Sequence, residues 1–417
     1  MKKLPRREFL KIAGLIAGSS IVASNFLWLK DIDAEIDTDR DIKLGIIGIG
    51  SRGKLLAEIL MDIPGVHIVA LADDYLPHLE EGKALIGKEV RGYSDHRSML
   101  DKEKLNAVVI ATPLHEHARH IVDAIEAGCH VFCEKTLALN IEQCNAVYQI
   151  AKGSGKVFYG GYQRIFDLKY LKAFEMISNG DIGGVRQIRG FWHRNDDWRR
   201  IVPKPELERK LNWRLYHDYS CGLMTELAVH HLQVINQMFN TRPEAVWGVG
   251  SINHWKDGRD ALDNVNLVYK YPGDTHMVYD AMISNRHYGL ELQVLGSKGT
   301  IELETGRIWY EFPEPAPGIL QMLHHLEKRI FQSISIGGPS WVPETAIKEK
   351  EGWVLPNNLE DDGTRLQIES FIKDVRKEEV NPFLLDQAYD AAISTLMGFE
   401  SLHTGRVVQW PDNAFII

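Results

Sequence analysis

The sequence predicts an α/β domain with a parallel sheet, followed by an α+β domain on a large, mostly antiparallel open sheet. Three observations predict this. A glycine-punctuated turn, Gly48-x-Gly50-x-x-Gly53, stands between an apolar run from Leu44 and a helix-forming segment, Lys54 to Leu60. Short unbroken apolar runs alternate with helical segments over residues 41–160, the pattern of parallel strands covered on both faces. From residue 245 onward the chain alternates apolar and polar residues, as Val265, Leu267 and Tyr269 do against Asn264, Asn266 and Lys270.

The strand, turn and helix start around Gly48 have the form of a Rossmann dinucleotide-binding domain. There the first glycine makes the turn, the second admits a pyrophosphate to the backbone and the third lets helix and strand pack closely. The anion then meets free amides at the positive end of the helix, here Ser51, Arg52 and Gly53. A second strand, Val66 to Ala72, ends in Asp73-Asp74, where a carboxylate accepts from the adenosine ribose hydroxyls and repels a 2′-phosphate. Asp73, directly at the strand end, is the better placed of the two. The expected cofactor is NAD, with NADP the disfavoured alternative.

The 417 residues, 44% hydrophobic and 25% charged, suit two or three folded domains. A net charge of −9 gives no electrostatic reason to bind nucleic acid. Residues 1–35 stand apart: Arg6-Arg7-Glu8-Phe9-Leu10-Lys11 precedes an apolar run from Ile12 to Ala23, which resembles a twin-arginine export signal. That run is shorter than the ~20 residues of a spanning helix, so a periplasmic or otherwise exported protein is expected, with no membrane span in its mature form. A dinucleotide is scarce outside the cytoplasm, and export in the folded state would carry it along. Cys129, Cys133, Cys144 and Cys221 form no CxxC pair and read as buried thiols, with a disulfide the alternative in an exported chain.

In chain order, Leu79 to Ile86 reads as a helix, Arg91 to Tyr93 as a short strand and Asn106 to Ala111 as a buried strand. Thr112-Pro113 follows at the strand end, where an open parallel sheet places its ligand crevice. His115, His117 and His120 beside Glu116 do not make a zinc motif, because the residue four after His115 is Arg119; no metal is expected. The next strand, Gly128 to Cys133, ends in Glu134-Lys135-Thr136.

The glycine loop, Asp73, Thr112-Pro113-x-His115-x-His117, Ala127-Gly128-x-His130-Val131 and Glu134-Lys135 resemble the glucose–fructose oxidoreductase, inositol dehydrogenase and rhizopine catabolism (Gfo/Idh/MocA) family. The resemblance implies that Lys135 lies beside the nicotinamide and the substrate, although Thr136 stands where proline is usual. It also implies cofactor contacts from Thr112, Pro113, His115, His117 and Glu134, and a second domain whose open sheet joins subunits into a homo-oligomer.

That second domain is expected over residues 161–417. A helix from Leu168 to Asn179 leads to a strand, Val185 to Trp192, and six further strands are read between Ala245 and Phe312. Glu226 and His230, four apart on a helix, share a face and can point at one pocket. The stretch resembles the family signature that completes a catalytic lysine–acid–histidine group, with Glu226 in the aspartate position. Tyr162, Gln163 and Arg164, then Trp192, His193, Trp198, Arg199, Trp213 and Arg214, interleave aromatic and hydrogen-bonding side chains. Such a mixture suits a sugar, with its apolar face and rim of hydroxyls; anchoring of a structural loop is the alternative. Residues 313–362 read as an insert without an assigned role, and two helices follow over 364–403.

The expected function is NAD-dependent oxidation of a hydroxyl on a small carbohydrate or glycoside, with Lys135, His230 and Glu226 as the catalytic group. The alternative is an NAD-dependent glycoside hydrolase that oxidises transiently, eliminates the aglycone, adds water and returns the hydride. A non-catalytic dinucleotide- and sugar-binding protein is the third reading.

Overall fold

The computed structural model describes residues 40–311, 352–355 and 362–415. The expected export signal over residues 1–35 and most of the 313–362 insert lie outside the described residues. The first domain carries β1 (Ile42–Ile47), β2 (Val66–Ala72), β3 (Arg91–Tyr93), β4 (Ala107–Ile110), β5 (His130–Glu134) and β6 (Phe158–Gly161). Every pairing is parallel, in the order β3-β2-β1-β4-β5-β6. Strand order reverses between β1 and β4, and a crevice opens beyond the carboxyl ends of such neighbours. Buried Val108, Ile110, Val131 and Cys133 cover one face, and Leu44, Ile46, Val109 and Phe132 the other. This two-sided burial explains why these strands read as unbroken apolar runs.

The second sheet comprises β7 (Val185–His193), β8 (Ala245–Ser251), β9 (Asn264–Lys270), β10 (His276–Met282), β11 (Leu290–Gly296), β12 (Gly299–Glu302), β13 (Arg307–Tyr310), β14 (Trp353–Val354) and β15 (Val408–Gln409). Its order is β14-β13-β12-β11-β7-β10-β9-β8-β15. Only β7 and β10 pair in parallel; the other pairings are antiparallel. Helices Val229–Phe239 and Pro382–Thr404 cover one face, where the Tyr269 hydroxyl donates to the Ser394 carbonyl at 3.2 Å. The opposite face leaves Trp247, Val249 and Val268 between 41% and 49% exposed.

Two features differ from the sequence reading. Helix Thr364–Lys377 packs on the first domain, not the second: Ile368, Phe371, Ile372 and Val375 join the core around Phe132 and Tyr159. The Tyr159 hydroxyl donates to Asp374 at 2.6 Å, fixing the register of that contact. Met224–Ala228 is a π-helical turn that runs into Val229–Phe239, so Glu226 and His230 are not on one regular α-helix. The four cysteines are buried free thiols, and burial raises Cys129 to about 11 and Cys221 to about 12. No described helix is long and apolar enough to cross a membrane.

Candidate active site

A cleft of about 920 Å³ begins at the β1–β4 reversal and runs to the helical turn of the second domain. Its first end is built by the glycines. Gly48 has φ +86°, and a Cβ there would meet the Ala111 carbonyl oxygen at 2.8 Å. A Cβ on Gly53 would lie 2.1 Å from the Gly48 oxygen, so loop and helix approach closely only without a side chain. Gly50 opens helix Ser51–Met61 with no side-chain cap and no acid in the first turn. The first amides are therefore free to meet an anion.

Asp73 holds this loop from the β2 end. Its carboxylate accepts from the Ile49 and Tyr75 amides, both at 2.9 Å, and it lines the cleft. Each carboxylate oxygen has a further lone pair for a ribose hydroxyl. Asp74 turns to Lys210 of the second domain, 2.8 Å away. Glycine cradle, uncapped amides and carboxylate together fit a dinucleotide.

Thr112, Pro113 and His115 line the cleft, and the His115 ring meets Tyr219 edge-on at 4.6 Å. His117 does not line it. Its ring is buried between the carbonyls of Thr112 (3.0 Å) and Thr136 (2.7 Å), joining the β4 and β5 loops. His120, which the sequence reading weighed only as a metal ligand, lines the cleft, contacts the Thr112 hydroxyl at 3.1 Å, and is pulled down by burial to about 3.

At the other end β5 delivers Glu134 and Lys135. Glu134 accepts from Arg52 at 2.6 Å, tying β5 to the first turn after the glycine loop. The Lys135–Thr136 peptide bond is cis. Lys135 Nζ donates to the carbonyls of Glu226 (3.1 Å) and Thr225 (3.4 Å), while the Thr136 hydroxyl donates to Thr225 at 3.0 Å. A π turn leaves such carbonyls available, because its wider spacing displaces them from the regular ladder. The Glu226 carboxylate lies 3.5 Å from Lys135 Nζ and accepts from Arg214 Nε at 2.8 Å and the Ser220 hydroxyl at 3.3 Å.

The electrostatics follow from burial and these neighbours. Burial pulls Lys135 down, Arg214 adds to that, and Glu226 opposes both without reversing them. Burial pushes Glu226 up, but Lys135 and Arg214 outweigh it and hold the carboxyl below its ordinary range. His230 faces the cleft with no hydrogen bond to the described residues, its ring 5.7 Å from Trp192. Burial, then Arg164 and Lys135, drive it well below the usual histidine range, so it is neutral.

Of the side chains expected to meet a sugar, the cleft takes in Gln163, Trp213 and Arg214. The other six lie outside its lining. Tyr162 is buried, and Arg164 pairs with Glu304 at 2.9 Å and lies 5.0 Å over Trp192. Trp192 supports His230 and His231, which accounts for its place in the sequence pattern. His193 bonds Asp280 across the second sheet, and Trp198, at φ +59°, donates its amide to Asp196. Arg199 is consumed by Glu208 and Asp257. Its neighbour Arg200 lines the cleft instead, together with Tyr219. Adjacent arginines look alike in sequence, so nothing there separates the tied one from the free one. Among the described residues no cluster has the makings of a metal site.

Comparison with known proteins places this geometry. Residues 42–162 match the oxidoreductase family with an NAD-binding Rossmann fold, and residues 170–302 match the GFO/IDH/MocA C-terminal domain. The myo-inositol 2-dehydrogenase of Thermotoga maritima is 25% identical over 263 residues, 62% of this chain and 74% of that protein. The scyllo-inositol 2-dehydrogenase (NAD(+)) of Bacillus subtilis is 25% identical over 276 residues, 64% of this chain and 75% of its own. Among solved structures, a levoglucosan dehydrogenase in complex with NADH and levoglucosan shares the fold, with a TM-score of 0.66 and 20% identity, covering 89% of this chain and 100% of that one. The two family matches take in more than half of the sequence, and with the glycine cradle and the two-sheet architecture they show that the chain belongs to the Gfo/Idh/MocA family of NAD-binding oxidoreductases.

Proposed function

We propose that the chain is a dehydrogenase that oxidises a ring hydroxyl of a sugar or glycoside. One observation carries this reading: a neutral histidine, a buried lysine and a charge-locked carboxylate converge in the cleft that begins at the glycine loop. Gly48, Gly50, Ser51, Arg52, Gly53 and Asp73 would hold the dinucleotide, with Thr112, Pro113 and His115 along its path. NAD, when bound, supplies the hydride acceptor.

The roles of the side chains follow from their charge states. His230, neutral and without a protein partner, accepts the hydroxyl proton. Lys135 donates to the same oxygen and steadies the charge that develops on it. Glu226, held ionised by two cations, orients Lys135 in place of taking a proton itself. Arg214, stacked at 4.2 Å on Trp213, and Gln163 face the substrate from the second domain. The inositol dehydrogenases among the relatives act on ring hydroxyls, which supports a carbohydrate substrate. The exposed Trp247, Val249 and Val268 support assembly into a homo-oligomer through the open sheet face, and the paired arginines Arg6-Arg7 support export by the twin-arginine route.

The test is incubation of the mature protein and NAD with alkyl and aryl glycosides, following cofactor fluorescence beside product NMR. A keto-sugar with reduced cofactor supports the proposal. Free sugar and aglycone with unchanged cofactor turns the same residues to elimination and makes the chain a redox-assisted glycosidase. Binding without any turnover refutes both.

A further inference from the structure

We propose that the substrate carries an anionic substituent, a carboxylate or a sulfate ester, seated against the guanidinium groups of Arg200 and Arg214. The proposal rests on the dehydrogenase reading above and names its substrate class.

Charge pairing along the cleft carries the argument. At the cofactor end the cations are matched: Arg52 by Glu134, Arg119 by Glu116 and Lys210 by Asp74. At the reacting end Lys135 and Arg214 share the Glu226 carboxylate while Arg200 lines the same cleft, and Glu206, also in the lining, forms no ion pair with either arginine. Glu226 is already shared between Lys135 and the Arg214 Nε, which leaves the outer edge of Arg214 free. Arg200 has no side-chain partner among the described residues, and Arg214 is the charged group that bears on it. Arg200 thus lines the cleft without a counter-ion among the described residues, beside an Arg214 that shares the Glu226 carboxylate with Lys135, in a chain whose net charge is −9. A local positive surplus in an acidic protein is not a by-product of composition.

The site is also held in place. Asn212, 2% exposed, accepts from the Arg200 amide at 2.7 Å and donates to the Arg200 carbonyl at 3.0 Å, so the backbone beneath the free side chain is clamped. The Trp213 ring fixes the plane of Arg214. Planar forks held in this way match the two oxygens of a carboxylate or sulfate.

The experiment uses the NAD-loaded protein and matched methyl glycosides: glucoside and galactoside, their uronides and their 6-sulfates. KM and kcat come from cofactor reduction, and dissociation constants from calorimetry. At least about tenfold lower KM is expected for one anionic series than for its neutral match, because charge-assisted bidentate bonds replace hydration. That preference should shrink with added salt. In Arg200→Gln the ratio of neutral to anionic KM should fall to within about threefold, and Arg200→Lys, which keeps the charge but loses the fork, should fall between. A preference for uronides identifies a carboxylate, and for 6-sulfates a sulfate ester. Equal or better use of neutral glycosides overturns the proposal. So does an Arg200→Gln variant that weakens NAD binding and leaves sugar discrimination intact, since the guanidinium then serves the cofactor. If no glycoside reduces the cofactor, the dehydrogenase reading has failed, and the calorimetric series still decides whether the cleft selects anions.

Discussion

Glu226→Gln keeps the shape of the side chain and removes its charge, leaving Lys135 and Arg214 facing each other. At the observed 3.5 Å, the Glu226–Lys135 attraction is about 5 kcal/mol for an effective dielectric near 20. Part of that is spent on desolvating the pair, and breaking a buried pair from one side costs about 3–5 kcal/mol. Arg214, about a third exposed, can turn to water, whereas Lys135 is enclosed by the π turn. The loss should therefore fall mainly on Lys135, and Lys135→Met in the same chain should recover much of it. Urea unfolding of wild type, both single variants and the double variant closes the cycle. A coupling of at least about 2 kcal/mol is expected for groups in direct contact. A Glu226→Gln loss below about 1 kcal/mol, or simple addition of the two single losses, would refute the argument that the carboxylate exists to hold two cations.

Lys135→Ala should retain NAD, measured by fluorescence titration, and abolish turnover; undiminished turnover removes the lysine from the mechanism. Gly53→Ala drives a methyl group to 2.1 Å from the Gly48 oxygen, an overpacking of about 1–3 kcal/mol, so NAD should bind roughly tenfold to hundredfold more weakly. Wild-type affinity in that variant would show that the loop does not carry the cofactor. His231, pulled by burial to about 3 from an ordinary 6.5, is neutral when folded and protonates more readily when unfolded. Its contribution is whole above pH 6.5 and is lost as pH falls toward 3, about 2 kcal/mol by pH 5. Urea titrations at pH 7 and pH 5 should thus differ by about 2 kcal/mol less in His231→Leu than in wild type, and an unchanged difference would show that the imidazole is not neutral.

Much of the fold was legible because its signals are local. Strands covered on both faces must be apolar throughout, and the glycine spacing carries its own steric reason. Position around a helix was harder to read. His115 and His117 look equivalent beside Thr112-Pro113, yet residues two apart on an α-helix point to nearly opposite sides, so one faces the cleft and the other the core. The return of Thr364–Lys377 to the first domain was illegible for another reason: its stripe of Leu366, Ile368, Phe371 and Val375 states that a face is buried without stating against which sheet. The arginine pair shows the same limit at the site, since Arg199 and Arg200 differ only in where Asp257, Glu208 and Asn212 fall in space.

The π turn accounts for how a glutamate serves in the aspartate position of the family signature. A regular α-turn would keep the carbonyls of Thr225 and Glu226 in its own ladder, and Lys135 would then meet Glu226 through the carboxylate alone. In the wider turn the same residue receives the lysine twice, at its carbonyl and at its carboxylate, and Thr136 adds a third link to the carbonyl of Thr225. The extra methylene of glutamate carries its carboxylate outward to Arg214 as well. The acid therefore joins three elements that are remote in sequence: the end of β5, the helical turn and the segment bearing Trp213 and Arg214. Because that segment also carries Arg200 and Lys210, the charge that positions the lysine lies in the same structural unit as the arginine proposed to select the substrate and the lysine that pairs with Asp74 of the first domain. Loss of Glu226 should for that reason disturb substrate discrimination as well as turnover, a coupling that an acid acting only on the proton would not produce.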